Sequence, residues 1–338
     1  MLTATRPIKL EPNLVPRGYR GGEALADLRG IPAAKAGPED WLGSTTAAAD
    51  SPGAGIATVG GRPLPELLAA SPGAFFSPSH LERFGPDPDL LVKLLDAGQR
   101  LMVHIHPDRE YARRRLGLAH GKSEAWVIAS VTRPDASVWL GFREEVPATT
   151  LRDWVERQDS DAMLQALNPV PVRPGDALYV PAGLPHAIGA GILMVELQEP
   201  SDLWVWLEWD GFDVDGRRDG HLGLGFDAAL EAVDRSAWDA DRLHAIGVGA
   251  GRDESRPGVR ELLPAAADYF QAQWLGCHGG TVELPPGFAI VVVLDGSGRI
   301  EDATREAVEV RRGDALLVPY AAGETRLSGR LTAVRCAR

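Results

Sequence analysis

The stretch VRPGDALYVPAG, residues 172–183, recurs as VRRGDALLVPYA at residues 310–321. Each copy puts Gly-Asp at a turn, follows it with an apolar run of strand length, and leaves through a proline. Such a unit met twice in one chain marks an internal repeat of a β architecture. The copies part at one position: the eleventh residue after Gly175 is His186, whereas the eleventh after Gly313 is Glu324.

Outward from the first copy, LMVHIH, EAWVIAS, SVWLGF, ALYVP and GILMVELQ all read as strands. Helical patterning interrupts them over 150–167, where Thr150 and Asp153 form a capping signal, and over 226–243. Earlier, 40–46 reads as a strand, and 65–70 and 80–84 as short helices. FAIVVVLDGSGRIE, residues 288–301, reads as a hairpin turning at Asp295-Gly296. With 38 Gly and 26 Pro spread along the chain, the texture is that of many short strands joined by tight turns.

The 338 residues are enough for one large domain or two smaller ones. Against 35 basic residues stand 47 acidic ones, a formal charge of −12, and no long basic run occurs. Nucleic acid and anionic membrane select local Lys/Arg stripes, so neither is an expected partner; a small molecule is. The N-terminal residues lack an apolar run of secretory length, and 288–294 is too short to cross a bilayer, so a soluble cytoplasmic protein, monomer or homodimer, is expected. Cys277 and Cys336 are too few for a disulfide scaffold or a zinc ribbon.

Three of the eight histidines keep significant company. Gly98, five residues and His104-Ile105-His106 precede Gly175, five residues, Pro181-Ala182-Gly183, two residues and His186. These spacings resemble the two signature motifs of the cupin superfamily, which implies a small double-sheet β-barrel with a metal in its mouth. The physics agrees with the resemblance. On a strand His104 and His106 face the same way roughly 7 Å apart, and the Pro-x-Gly turn throws His186 toward the same place. Neutral imidazoles with a carboxylate suit zinc or another divalent first-row ion. The carboxylate has two candidates. Glu110 fits the general cupin spacing but lies in the charged, helix-forming DREYARRRLG, whereas Glu124 opens the next strand; local structure favours Glu124. His80, His120, His221, His244 and His278 read as ordinary packed or surface residues.

The segments KLLDAGQRLMVHIHPDREYARR, GKSEAWVIAS, GDALYVPAGLPHAIGAGILMVELQEPSD and EDWLGS sharpen the likeness. They resemble the class I mannose-6-phosphate isomerases, zinc enzymes of two cupin-like barrels and a helical part. The resemblance implies a mainly β fold: a first barrel with the metal site over 1–210, a helical segment over 211–260 and a degenerate second barrel over 261–338. It implies zinc ligands His106, Glu124 and His186, with His104 as a fourth where many members have glutamine. It matches Lys93 and Lys122 to the family's active-site lysines and Glu196 to its pocket glutamate. The chain departs from the family pattern at Met102, where a phosphate-contacting serine is usual, and at Trp206, where a catalytic arginine is usual. Trp204, Trp206 and Trp209 offer an aromatic wall instead, or simply core packing.

The expected activity is a metal-dependent aldose–ketose isomerase, binding one zinc or other divalent ion per chain. Lys122 and Glu196 would be catalytic, and Lys93 and Trp206 would bind a sugar or sugar phosphate, with the phosphate grip weakened. Two alternatives belong to other classes: a metal-binding, sugar-binding cupin without turnover, and an iron or manganese cupin oxidoreductase with Glu110 among its ligands.

Overall fold

Two copies of the repeat unit fold alike down to their hydrogen bonds. In the computed structural model, which describes residues 4–248 and 257–338, Gly175 and Gly313 both have positive φ, 84° and 88°. The Asp176 and Asp314 carboxylates accept from the backbone N–H groups of Arg173 and Arg311, each at 3.0 Å. Strands Ala177–Val180 and Ala315–Val318 follow.

The first copy belongs to a double-sheet barrel. One sheet has five strands, in the order Leu167–Pro171, Ser137–Phe142, His186–Ile188, His104–Ile105, Val205–Trp206. The facing sheet has six: Ala177–Val180, Glu124–Val131, Ile192–Gln198, Leu91–Ala97, Glu39–Leu42, Leu14–Val15. All these pairings are antiparallel. The second copy lies in an eight-stranded sheet whose longest strands, Ala289–Glu301 and Thr325–Ala337, pair along most of their length. Ile8–Lys9 and Gly258–Glu261 are edge strands of this sheet.

Alternation sorts the second sheet's residues between two cores. Ala289, Val291, Val293 and Leu316 fill the interior of the C-terminal barrel. Their neighbours Ile290, Val292, Ala315 and Leu317 face the other way, into the core continuous with the first barrel.

Three sequence expectations need correction. Ala289–Glu301 is one strand, not a hairpin. The register slips at Leu294, just before the Asp-Gly pair, and Gly296 takes φ 79° where a side chain would collide with the Arg330 carbonyl, so the pair that can make a turn instead continues the strand past a bulge. The helix expected over 150–167 starts two residues earlier, after Pro147, and breaks into Ala148–Arg157 and Ser160–Ala166. Gln158 at φ 53° ends the first piece, and Asp159, not Thr150, supplies a side-chain cap, accepting from Ala162 N. The helix expected over 226–243 is three short pieces, Phe226–Ala229, Leu230–Ala232 and Ala240–Ala245. Asp234 captures Ser236 N and the Trp238 indole, and Trp238 N donates to the Phe142 carbonyl, drawing the intervening chain onto the barrel.

Candidate active site

The two sheets bring different chemistry to the barrel mouth. From the five-stranded sheet come His104 and His186, directly paired across neighbouring strands, with His106 just past the end of the first. From the six-stranded sheet come Lys93 and Glu196, also directly paired, with Glu124 at the start of its own strand and Glu39 beside them. All seven side chains are buried.

The three imidazoles are oriented from behind. His104 Nδ1 bonds the Met102 carbonyl at 2.8 Å, His106 Nδ1 the Leu203 carbonyl at 2.7 Å, and His186 Nδ1 the Leu184 carbonyl at 2.8 Å. A carbonyl only accepts, so each Nδ1 carries the proton and each Nε2 keeps a lone pair facing the mouth. The ligand-capable atoms of the three rings lie within 4.8 Å of one another. Glu124 adds a carboxylate to two of them, Oε2 lying 3.1 Å from His106 Nε2 and Oε1 3.4 Å from His186 Nε2. His186 Nε2 has no hydrogen-bond partner among the described residues. Buried lone pairs of this kind, braced through the opposite ring nitrogen, are what a divalent ion requires, and the set fits zinc.

Charge states agree with that use. Burial, then repulsion among the rings, holds His104 well below its usual range, and burial with the Lys122 ammonium pushes His106 down to about 3. Neutral imidazoles are the metal-binding form. Burial would raise Glu124, but Lys122 and His106 outweigh it and keep the carboxyl well below its ordinary range.

Beside the imidazoles runs a row of alternating charges. Lys122 Nζ lies 3.1 Å from both His106 Nε2 and Glu124 Oε2, and 3.9 Å from Glu196 Oε1. Lys93 Nζ stands between Glu196, at 3.4 Å, and Glu39, at 3.5 Å, over the face of Trp41. Glu39 in turn accepts from the Tyr19 hydroxyl and the Trp41 indole. Burial raises the Glu196 carboxyl above its usual value, with Glu124 adding repulsion and the two lysines opposing.

Glu110 is exposed on the short helix Arg109–Tyr111, whereas the imidazoles and Glu124 are buried. Trp206 is buried and lines an outer cavity of about 500 Å³, whereas Trp204 lines the inner one, its ring edge-on to His104. Sequence reasoning passed over Arg17, Tyr19 and Glu39. Arg17 lines both cavities. It comes from an irregular N-terminal segment whose sequence carries no periodic signal, and its placement depends on Asp202, distant in sequence. Glu39 could have been found, because Glu39 and Trp41 alternate on one strand face.

The inner cavity measures only about 20 Å³, room for roughly one water.

Fold and site together define a cupin-type barrel with three buried histidines that could hold a metal ion, beside a row of buried carboxylates and lysines. No family model matches the chain. It is 31% identical over 246 residues to mannose-6-phosphate isomerase ManA of Bacillus subtilis (strain 168), covering 71% of this chain and 72% of that protein. It is 29% identical over 330 residues to the probable mannose-6-phosphate isomerase GmuF of the same organism, 96% of this chain and 97% of that one. The crystal structure of the Bacillus subtilis mannose 6-phosphate isomerase matches with a TM-score of 0.73 at 25% identity, over 98% of this chain and 100% of the other. The chain belongs to the mannose-6-phosphate isomerase family, a family of sugar isomerases.

Proposed function

We propose that this protein interconverts an aldose and its ketose of the mannose–fructose type, using one divalent ion, zinc by preference, held by His104, His106, Glu124 and His186. The observation that carries the reading is the convergence of three Nε2 lone pairs and Glu124 beside a raised, buried Glu196. A bound ion would supply Lewis-acid polarisation of the sugar's carbonyl and adjacent hydroxyl oxygens.

The chain's own residues do the rest. Glu196, one carboxylate oxygen of which has no hydrogen-bond partner among the described residues, takes the C2 proton of the open-chain aldose and returns it to C1, while the C2 hydroxyl proton passes to O1 and leaves the C2 carbonyl of the ketose. Its raised affinity for a proton suits a base that must also give the proton back. Lys122, within reach of both Glu196 and Glu124, answers the negative charge that develops on the substrate's oxygens. Lys93, braced between Glu39 and Glu196, holds the base in place and limits its repulsion from Glu124. Trp206 at the outer cavity and Trp204 at the inner one, packed edge-to-face, supply aromatic surface for the apolar side of a sugar.

The exposed position of Glu110 counts against the oxidoreductase alternative, and the acid–base row counts against a binding protein without turnover. The test is metal analysis of the purified chain alongside isomerisation assays on free and phosphorylated hexoses, for the wild type and Glu196→Gln. One equivalent of divalent metal in both is expected, with kcat lowered about 10²- to 10⁴-fold in the variant. Undiminished turnover in Glu196→Gln would remove the base, and turnover without metal would remove the ion.

A further inference from the structure

The neck between the two cavities is built from one guanidinium and the carboxylates that hold it. Arg17 Nη1 and Nη2 donate to Asp202 at 2.9 and 3.0 Å, and Nη1 also to Asp50 at 2.7 Å. Glu39 lies 3.5 Å from Nε, an atom without a hydrogen-bond partner among the described residues. One buried cation thus faces three carboxylates, the third of which it shares with Lys93, and the two lysines of the inner cavity are themselves taken by Glu39, Glu196 and Glu124. Outward from the neck, Asp213, Asp215 and Asp219 line the larger cavity with Arg218, whose guanidinium is taken by Asp219 at 2.6 Å.

We propose that Arg17 and its carboxylate clamp restrict this site to an unphosphorylated sugar. The inference rests on the isomerase reading above and names the substrate class it takes. A phosphomonoester carries close to two negative charges at neutral pH and offers only acceptors. To recruit Arg17 it would have to displace a bidentate carboxylate and then lie against Asp202, Asp50 and Glu39. A free sugar meets the same surroundings as a set of donors, because ionised carboxylates accept only and each needs an O–H when Arg17 swings aside. The Trp206 indole N–H, buried at the outer cavity and without a hydrogen-bond partner among the described residues, adds a donor for a sugar oxygen.

The experiment uses the full-length zinc-loaded protein, comparing mannose with mannose 6-phosphate in kcat/KM and, by calorimetric titration, in binding. Mannose is expected to be favoured in both by on the order of a hundredfold, the scale of like-charge juxtaposition. In Asp50→Asn/Asp213→Asn the ratio should move toward the phosphate by about tenfold; these exposed-side changes avoid the folding risk of Arg17→Ala. A wild type that favours mannose 6-phosphate overturns the proposal while leaving the isomerase reading intact. A ratio unmoved by the double substitution overturns the clamp. Tighter binding of mannose without turnover of either sugar would sustain the selectivity and defeat the isomerase, and binding of neither would defeat the selectivity as well.

Discussion

The two barrels begin from the same turn and end in opposite interiors. Gly175 and Gly313 donate alike to the carbonyls of Ile128 and Val293, at 2.9 and 2.8 Å, and the strands that follow are both fully buried. Beyond the exit proline they separate. After Pro181 the chain turns into the strand that carries His186, and the mouth fills with imidazoles, carboxylates and ammonium groups. After Pro319 it makes the short helix Tyr320–Ala322, Glu324 is exposed, and the interior is apolar, lined by residues such as Val291, Leu316 and Leu331. The turn-and-strand unit is therefore a scaffold that commits to no chemistry. Burying ionised groups is costly unless each has a partner, and among the described residues the interlocking set that meets this requirement lies in the first barrel.

The comparison breaks most sharply at the metal. His106→Ala/His186→Ala should lose stoichiometric metal altogether, while Glu124→Gln should lower affinity more than about 100-fold and Glu110→Gln scarcely at all, since even an outer partner's loss costs about 10- to 100-fold. Metal analysis after dialysis reads all three. A full equivalent retained by the double variant would mean that the ion sits elsewhere, and a Glu110 effect larger than the Glu124 effect would restore the general cupin spacing.

The converse substitution tests the second barrel as pure structure. Leu316 is fully buried in its interior. Leu316→Ala should cost about 2–5 kcal/mol of unfolding free energy, as large-to-small core changes do, yet leave the metal equivalent intact in the folded fraction. Denaturant melts with parallel metal analysis check both halves. Loss of metal at full folding would show that the second interior reaches the first barrel's mouth.

How much of this was legible beforehand differs by the range of the interactions involved. His104, His106 and His186 were readable because strand period and a Pro-x-Gly turn fix their directions locally. Glu124 is favoured over Glu110 for an equally local reason, a strand start against a charged helical turn. Lys93, Lys122 and Glu196 came through family likeness, and the structure places them in one row. Arg17 was invisible, because nothing within the N-terminal segment says that Asp202 will hold it. The Asp295-Gly296 hairpin failed for the opposite reason: its local signal was strong, but pairing with Thr325–Ala337 on one side and Ala307–Arg311 on the other made a bulged straight strand the better-bonded solution.

The smallest effect separating the barrels is their response to acid. Burial would raise the Asp202 carboxyl, but Arg17 and then Lys93 overcome it and hold the group well below its ordinary range. A carboxyl lowered in the folded state stabilises the fold at pH values above its unfolded pKa, about 3.9, and that contribution is lost as the pH falls toward the lowered native value. Stability from the Arg17–Asp202 pair should therefore be complete at pH 7 and decline below about pH 4. The difference in Tm between wild type and Asp202→Asn, measured from about pH 3 to pH 7 with a chelator present so that metal release does not enter, should narrow on the acid side. The same series on Leu316→Ala should show a difference that changes little with pH, because no proton is linked to an apolar cavity. A constant offset for Asp202→Asn would mean that this residue serves the neck through shape rather than charge, and the electrostatic contrast between the two barrels would then have to rest on the lysine–glutamate row alone.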